Sequence, residues 1–209
     1  MSKTATTSES ALSQQLTQYA SNLMEGERIR VRPAQEGDYG ILAEWWNEPE
    51  ALIFLSPQMV VAGAQSVEEQ FRGWSKNDTP SSLGYCIEDT TTSSLVGHVT
   101  LWGIHPVIRS ATLGILLGPN DVEKGMGTEA VALMLRIAFM ELGLNKVELN
   151  VWEYNERAIH VYQKLGFILE GTQRAACFHA GRYWANHSMG MLRDEYLTMH
   201  SDDVRIARL

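Results

Sequence analysis

The chain has 209 residues, 44% of them hydrophobic and 20% charged, which suffices for one well-filled domain core. A net charge of −8 and a pI near 5.2 argue against nonspecific nucleic-acid binding and fit a cationic small substrate. Cys86 and Cys177 lack the paired spacing of a metal or redox site, so we expect free thiols and no metal. Because no apolar run could cross a bilayer and no signal-peptide core is present, we expect a cytoplasmic protein without a membrane partner.

The chain is expected to divide into a tail over 1–26, one domain over 27–195 and a second tail over 196–209. The small, polar stretch Met1–Ser8 predicts disorder. Apolar residues then recur at helical spacing from Leu12 to Leu23. This predicts an amphipathic helix that packs on the domain or, in a homodimer, on the partner subunit.

Alternating residues predict a first strand over 27–32, closed by Pro33, and Asp38 is expected to cap a helix that runs through Trp46. The later predicted elements are a helix over 67–74, strands over 83–88, 95–102 and 111–117, a largely apolar helix over 128–142, a strand over 146–152, a helix over 156–165 and a hairpin over 167–177 and 183–192. No internal repeat interrupts this order.

A glycine-rich turn lies between the strand over 111–117 and the long apolar helix. Small glycines let a backbone approach an anion, and a helix start supplies free N–H groups and the positive end of the helix dipole. This layout predicts a phosphate cradle made of Lys124, Gly125, Met126, Gly127 and Thr128.

Two other interpretations of this turn stay open. Gly125–Ala130 also matches the dinucleotide pattern G-x-G-x-x-G/A, with Glu148 about twenty residues further on. The polar stretch 118–124 and the antiparallel strands before it argue against that alternative. The second open interpretation is a glycine-rich helix start that binds no ligand. A Walker phosphate-binding loop is excluded, because its sequence pattern does not occur in the chain.

A second motif covers 155–167, where helical spacing places Asn155, either Ala158 or Ile159, and Tyr162 on one face. Taken alone, Asn155 is most simply a helix N-cap and Tyr162 a half-buried packing residue. Both interpretations are compatible with a functional role.

Together the two motifs resemble the GNAT superfamily of acyl-CoA-dependent N-acetyltransferases, over about residues 28–192. Residues 30–33 and 44–50 look like the branch that acetylates ribosomal-protein N-termini, and 144–183 is similar both to that branch and to bacterial spermidine acetyltransferases. The resemblance implies an α/β (α+β) fold. Its sheet is mixed, mostly antiparallel and twisted, with six to seven strands, a central splay and about four flanking helices.

The resemblance also implies acetyl-CoA as cosubstrate. It implies that the backbone of Ile115, Leu116 and Leu117 pairs with the pantetheine arm and that the cradle takes the pyrophosphate. Asn155 matches a cofactor-contacting position, and Tyr162 matches the tyrosine that protonates the departing thiolate. Val122 departs from the family, which often has Gln or Arg there.

The general base is less well defined by the resemblance. Some relatives carry Glu where this chain has Asn150, and many carry Glu where it has Thr112. Glu148 shares a strand face with Asn150, so it is either a proton relay through water or a solvated glutamate. His98 is either a base or a satisfied core group, and the core interpretation is favoured.

The turn after the first helix of the domain lies over the acceptor cleft in relatives, which makes Trp46, Asn47 and Glu48 acceptor-site candidates. The leading hypothesis is direct transfer of an acetyl group from acetyl-CoA to a primary amine. The acceptor is a polyamine, amino sugar, amino acid or protein N-terminus. The alternative is a catalytically silent CoA-binding regulatory protein of the same fold.

Overall fold

The computed structural model describes residues 3–203. Within this range the helices are α1 (Lys3–Ser21), α2 (Glu36–Asn47), α3 (Pro49–Leu55), α4 (Ala64–Ser75), α5 (Met126–Arg136), α6 (Glu156–Lys164) and α7 (Arg193–Met199), and a π-helical segment covers Ile137–Glu141. The strands are β1 (Ile29–Arg32), β2 (Ser82–Asp89), β3 (Leu95–His105), β4 (Ser110–Leu117), β5 (Lys146–Trp152), β6 (Ile168–His179) and β7 (Arg182–Leu192).

All seven strands form one sheet in the order β1-β2-β3-β4-β5-β7-β6. Every neighbouring pair is antiparallel except β4 and β5, which run parallel at the centre of the sheet. The crossover from β4 to β5 contains α5, as a parallel connection requires. The expected mixed, mostly antiparallel sheet is therefore confirmed.

Helices cover both faces of the sheet. The larger core cluster joins α5 and its π-helical extension to the strands, with Met134, Phe139 and Leu149 at most 1% exposed. The smaller cluster lies under α2 and α4 on the opposite face, around Leu42 and Phe71. Because strand residues alternate between faces, β4 contributes Leu113 to the larger cluster and Leu116 to the smaller one.

Two expectations about the helices differ from the structure. The helix that starts the domain begins at Glu36, so Asp38 is not its N-cap but accepts the Gln35 backbone N–H at 2.7 Å from inside the first turn. The sequence analysis also predicts no helix where the structure has α3. Proline is favoured at the first helical position, and here Pro49 starts a new helix directly after α2.

The N-terminal segment differs from its prediction. Lys3–Ser8, expected to be disordered, belongs to α1, while Met1 and Ser2 lie outside the described residues. Leu12 and Leu16, on which the amphipathic prediction rested, are 38% and 46% exposed. The helix instead contacts the domain through Tyr19, whose hydroxyl donates to Glu141 at 2.5 Å.

The C-terminal boundary also differs, because the chain after residue 195 packs on the domain. Tyr196 is 2% exposed within the main core cluster and donates a hydrogen bond to the Asp203 carboxylate. Arg136 of α5 forms an ion pair with the same carboxylate at 2.9 Å. The domain therefore extends at least to Asp203, and residues 204–209 of the expected tail lie outside the described range.

Candidate active site

A separation of β4 from β5 opens the middle of the sheet. The two strands pair only from Ser110 to Thr112, and the last pair is Thr112 with Glu148. Leu113–Leu117 continue to pair with β3 but, among residues 3–203, have no strand partner on the β5 side. The expected central splay is thus confirmed. The predicted pantetheine-contacting residues Ile115, Leu116 and Leu117 all lie on this free edge.

The first turn of α5 lies at the end of the free edge. Its N-cap, Gly125, has φ +79°, a conformation that glycine adopts without strain. No side chain caps the helix, and within the described chain the backbone N–H groups of Met126, Gly127 and Thr128 have no acceptor. A Cβ on Gly127 would lie 2.8 Å from Leu117 Cδ1, so this glycine lets the helix start approach β4.

The loop before the cradle carries charged side chains that are already paired. Lys124 Nζ lies 3.0 Å from the Asp121 carboxylate. Glu123, in the left-handed region at φ +70°, faces Arg157 of α6 at 3.4 Å. This second pair brings the N-terminal ends of α5 and α6 to the same side of the splay.

The second motif begins at the N-terminus of α6. Asn155 is its N-cap, and its side-chain oxygen accepts the Ala158 backbone N–H at 3.2 Å. Tyr162 packs edge to face on Phe167 with ring centroids 5.7 Å apart. Its hydroxyl has no hydrogen-bond partner among the described residues, and burial raises the pKa of Tyr162 to about 12. The structure therefore agrees with Asn155 as a helix N-cap and with Tyr162 as a packing residue. The phenol proton of Tyr162 remains available for a ligand.

The candidate bases lie on β5. Glu148 is 41% exposed at its side chain and shares Lys146 with Glu170, at 3.4 Å and 2.6 Å respectively. Asn150 is exposed on the same face of the strand. The face assignment made from alternation is therefore correct, and neither side chain is locked into the core.

The three acceptor-site candidates have different environments. The ring of Trp46 packs edge to face on Phe71 at 5.8 Å in the smaller core cluster. The side-chain amide of Asn47 is paired with the backbone of Ala62: its Nδ2 donates to the carbonyl at 3.0 Å, and its Oδ1 accepts the N–H at 3.1 Å. Glu48 links α2 to α3, and in the described chain its carboxylate has no recorded partner. Of the three, Glu48 is the one that presents a carboxylate without a partner among residues 3–203.

The α2–α3 segment bridges the two sides of the splay. On the β4 side, a Cβ on Gly118 would lie 2.9 Å from the Trp45 ring, so that ring covers the strand end. On the β5 side, the Tyr154 hydroxyl donates to the Ile53 carbonyl of α3 at 2.6 Å. Glu48 lies between these two anchors in the chain, which positions the α2–α3 turn over the opening.

Tyr154 was missed by sequence reasoning, and no local signal could have found it. Its ring lies in an aromatic cluster, stacked at 12° on Trp152 and edge to face with Trp184 at 5.0 Å. Burial, followed by the neighbouring Cys177, raises the pKa of Tyr154. The hydroxyl is therefore protonated and can donate to α3 throughout the physiological pH range.

His98 belongs to the core, as favoured from the sequence. It is 2% exposed, and its Nε2 lies 2.8 Å from the Ser75 hydroxyl. Burial lowers the pKa of His98 to about 4, so the ring is neutral near pH 7. Cys86 and Cys177 are free and buried. The part of the chain that the structure describes has no His, Cys, Asp and Glu grouping suited to a metal ion and no helix able to span a membrane.

Taken together, these features suit a long ligand with phosphates at one end. The free edge of β4 can pair with an extended polar arm, and the unpaired amides of α5 can receive an anion. Tyr162 offers a proton donor, and the α2–α3 turn covers the opposite side of the opening.

Comparison with known proteins defines the class. Residues 28–168 match the family model described as an acetyltransferase (GNAT) domain, so the chain belongs to the GNAT family. It is an acetyl-CoA-dependent N-acetyltransferase that acts on an amine.

Particular relatives narrow the resemblance further. The chain is 38% identical to spermidine N(1)-acetyltransferase of Escherichia coli strain K12 over 178 residues, 85% of this chain and 87% of that protein. It is similar to the solved structure of spermidine N-acetyltransferase from Vibrio cholerae in complex with CoA and spermine. That match has a TM-score of 0.74 and 26% identity, and it covers 82% of this chain and 99% of the other.

Proposed function

We propose that acetyl-CoA lies in the splay between β4 and β5. The supporting observation is the free β4 edge after Thr112, which ends at the unpaired amides of the α5 start. The pantetheine arm pairs with the backbone of Ile115–Leu117, and the pyrophosphate contacts Lys124–Thr128. Asn155 uses its oxygen as a cap, so its side-chain NH₂ is the group left for the cofactor.

The acceptor in this proposal is a polyamine. Support comes from two relatives: the Escherichia coli protein is a spermidine N(1)-acetyltransferase, and the Vibrio cholerae structure contains CoA and spermine. The net charge of −8 favours a polycationic substrate, and Glu48 and Glu50 place carboxylates on the turn over the opening. Amino sugars, amino acids and protein N-termini are the competing acceptors.

The buried free cysteines support a reducing compartment, so cytoplasm is the proposed location.

The reaction proceeds by direct attack. The neutral amine nitrogen bonds to the thioester carbonyl carbon, the C–S bond breaks, and the nitrogen loses one proton. Backbone N–H groups on the free β4 edge are the donors available to the carbonyl oxygen as it gains negative charge. Holding amine and thioester together supplies the rest of the rate enhancement through proximity.

Proton removal from the amine is assigned to Glu148 acting through water. Asn150 cannot accept a proton at neutral pH, so its role is to orient that water by hydrogen bonding. Lys146 lies 3.4 Å from the Glu148 carboxylate and 2.6 Å from that of Glu170, so Glu148 shares its cationic partner with a second carboxylate. Glu148 and Asn150 lie on the same face of β5, next to the point where β5 separates from β4.

Tyr162 assists the departing sulfur. A thiol has a pKa near 8.5, so full transfer from a phenol with a pKa of about 12 is uphill by roughly 5 kcal/mol. Tyr162 therefore first stabilises the growing negative charge as a hydrogen-bond donor. The sulfur takes the phenol proton as the C–S bond breaks, and solvent returns a proton to the phenolate.

Release of free thiol from acetyl-CoA, measured with a panel of amines, tests the proposed acceptor. We expect the highest kcat/KM for spermidine and spermine, with little turnover of aminoglycosides, amino acids and N-terminal peptides. Preferred turnover of peptides or amino sugars would remove the polyamine assignment. Acetyl-CoA binding without turnover of any amine would instead revive the regulatory alternative, which the comparisons do not support.

A further inference from the structure

An arginine from the start of the domain lies against the first turn of α5. The backbone N–H and Nε of Arg28 donate to opposite oxygens of Glu129, at 3.0 Å and 3.2 Å. Its NH1 donates to the Lys124 carbonyl at 2.9 Å. These contacts cross 101 and 96 residues of sequence, so no local motif marks Arg28.

The guanidinium of Arg28 covers the N-cap of α5. A Cβ on Gly125 would lie 3.0 Å from both NH1 and NH2 of Arg28, a tight contact, so glycine leaves room for the guanidinium against the N-cap. NH2 has no acceptor among the described residues, and the Arg28 side chain is 53% exposed. A planar cation with unused N–H groups thus lies beside the free amides of Met126–Thr128.

Local charges explain why a cation is needed at this point. Val122 occupies the position that often carries Gln or Arg in the family, and it supplies no donor. Glu129 places a carboxylate in the first turn of α5, only 15% exposed, where it would repel a phosphate unless Arg28 neutralised it. The other nearby cations, Lys124 and Arg157, each already face a carboxylate of the same loop.

We propose that Arg28 binds a phosphate group of acetyl-CoA and replaces the side-chain donor that Val122 lacks. This proposal rests on the proposed cofactor cradle. Arginine presents paired N–H groups that match phosphate oxygens, and Glu129 and the Lys124 carbonyl fix its orientation before binding. The phosphate is either the diphosphate or the 3′-phosphate of the adenosine end.

Calorimetric titration of the Arg28→Gln variant with CoA tests the proposal. We expect CoA affinity to fall about tenfold, because a charge-assisted contact to the phosphate is lost and Glu129 loses its cationic partner. The KM of S-acetyl-pantetheine, which has no phosphate, should stay unchanged. If 3′-dephospho-CoA shows the same loss as CoA, the contact is to the diphosphate, and if it shows none, the contact is to the 3′-phosphate.

Arg30→Gln is the matched control. Arg30 is 50% exposed, lies two residues along the same segment and pairs with Glu88 rather than with the cradle. This variant should bind CoA as the parent does. Val122→Arg in the Arg28→Gln background should restore most of the lost affinity.

Several outcomes would overturn the proposal. Unchanged CoA affinity in Arg28→Gln would do so, as would an equal loss for S-acetyl-pantetheine together with a lower melting temperature, which indicates a structural role only. Val122→Arg in the otherwise unchanged protein distinguishes a failure of the Arg28 proposal from a failure of the proposed cofactor cradle. If it tightens CoA binding while Arg28→Gln has no effect, only the Arg28 proposal fails. If neither variant changes CoA affinity, the cradle itself is misplaced.

Discussion

At the scale of single residues, Tyr162 combines a packing contact with the proton-donor role that we propose for it. Its ring packs on Phe167, and its hydroxyl has no partner in the described chain. Burial raises its pKa to about 12, so the phenol keeps its proton at every pH at which the protein would be assayed. The sequence alone suggested an ordinary phenol that is protonated at neutral pH, and burial extends this well above neutrality.

The variant Tyr162→Phe removes the donor and keeps the ring. We expect kcat to fall by roughly 10²- to 10⁴-fold while CoA affinity is unchanged, measured by steady-state kinetics and calorimetry. Because the donor form persists below pH 12, the kcat of the parent should not decline between pH 8 and 10 through loss of this proton. Tyr85→Phe, which trims a half-buried tyrosine of β2, is the control. Turnover equal to that of the parent would remove Tyr162 from the mechanism.

Residues inside short motifs were accessible from the sequence, and residues that act across the fold were not. Gly125 and Asn155 were predicted because their roles depend on neighbours within a few positions. Asn47 was assigned to the acceptor, but its amide binds the backbone of Ala62, fifteen residues away. Arg28 and Tyr154 act over about a hundred residues of chain, and one sequence contains no signal for such pairings.

At the scale of elements, hydrophobic periodicity predicted every strand and most helices to within a few residues. The helix predicted over 128–142 is α5 followed by a π-helical segment, a distinction that apolar spacing does not encode. The splay was implied by the family resemblance. Its position after Thr112 depends on strand register, which only the structure gives.

Tyr154 tethers α3 to the β5 side of the splay, and we expect it to position the α2–α3 turn. Tyr154→Phe keeps the aromatic stack and removes the hydrogen bond to Ile53. We expect the KM for the amine to rise about threefold to tenfold, with kcat and CoA affinity nearly unchanged, because one hydrogen bond of ordinary strength is lost. Tyr183→Phe, on the exposed part of β7, is the control. An unchanged KM for the amine would show that α3 does not depend on this tether.

At the scale of the whole molecule, both ends of the described chain pack on α5. Arg136 pairs with Asp203 and lies 4.8 Å from the Tyr19 ring, so one arginine contacts both terminal segments. The opposite end of the same helix provides the unpaired amides of the cradle. Contacts with both terminal segments therefore fix the C-terminal end of α5, while its first turn keeps unpaired amides for the proposed cofactor.

The location of the cofactor is the central claim, and amide hydrogen exchange with and without saturating CoA tests it most directly. We expect slower exchange at 113–117 on the free edge of β4 and at 126–128 in the first turn of α5. Exchange in β2 should not change. Protection confined to the cavity of about 400 Å³ that Leu133, Arg136 and Tyr196 line, or no protection at the splay, would contradict the account.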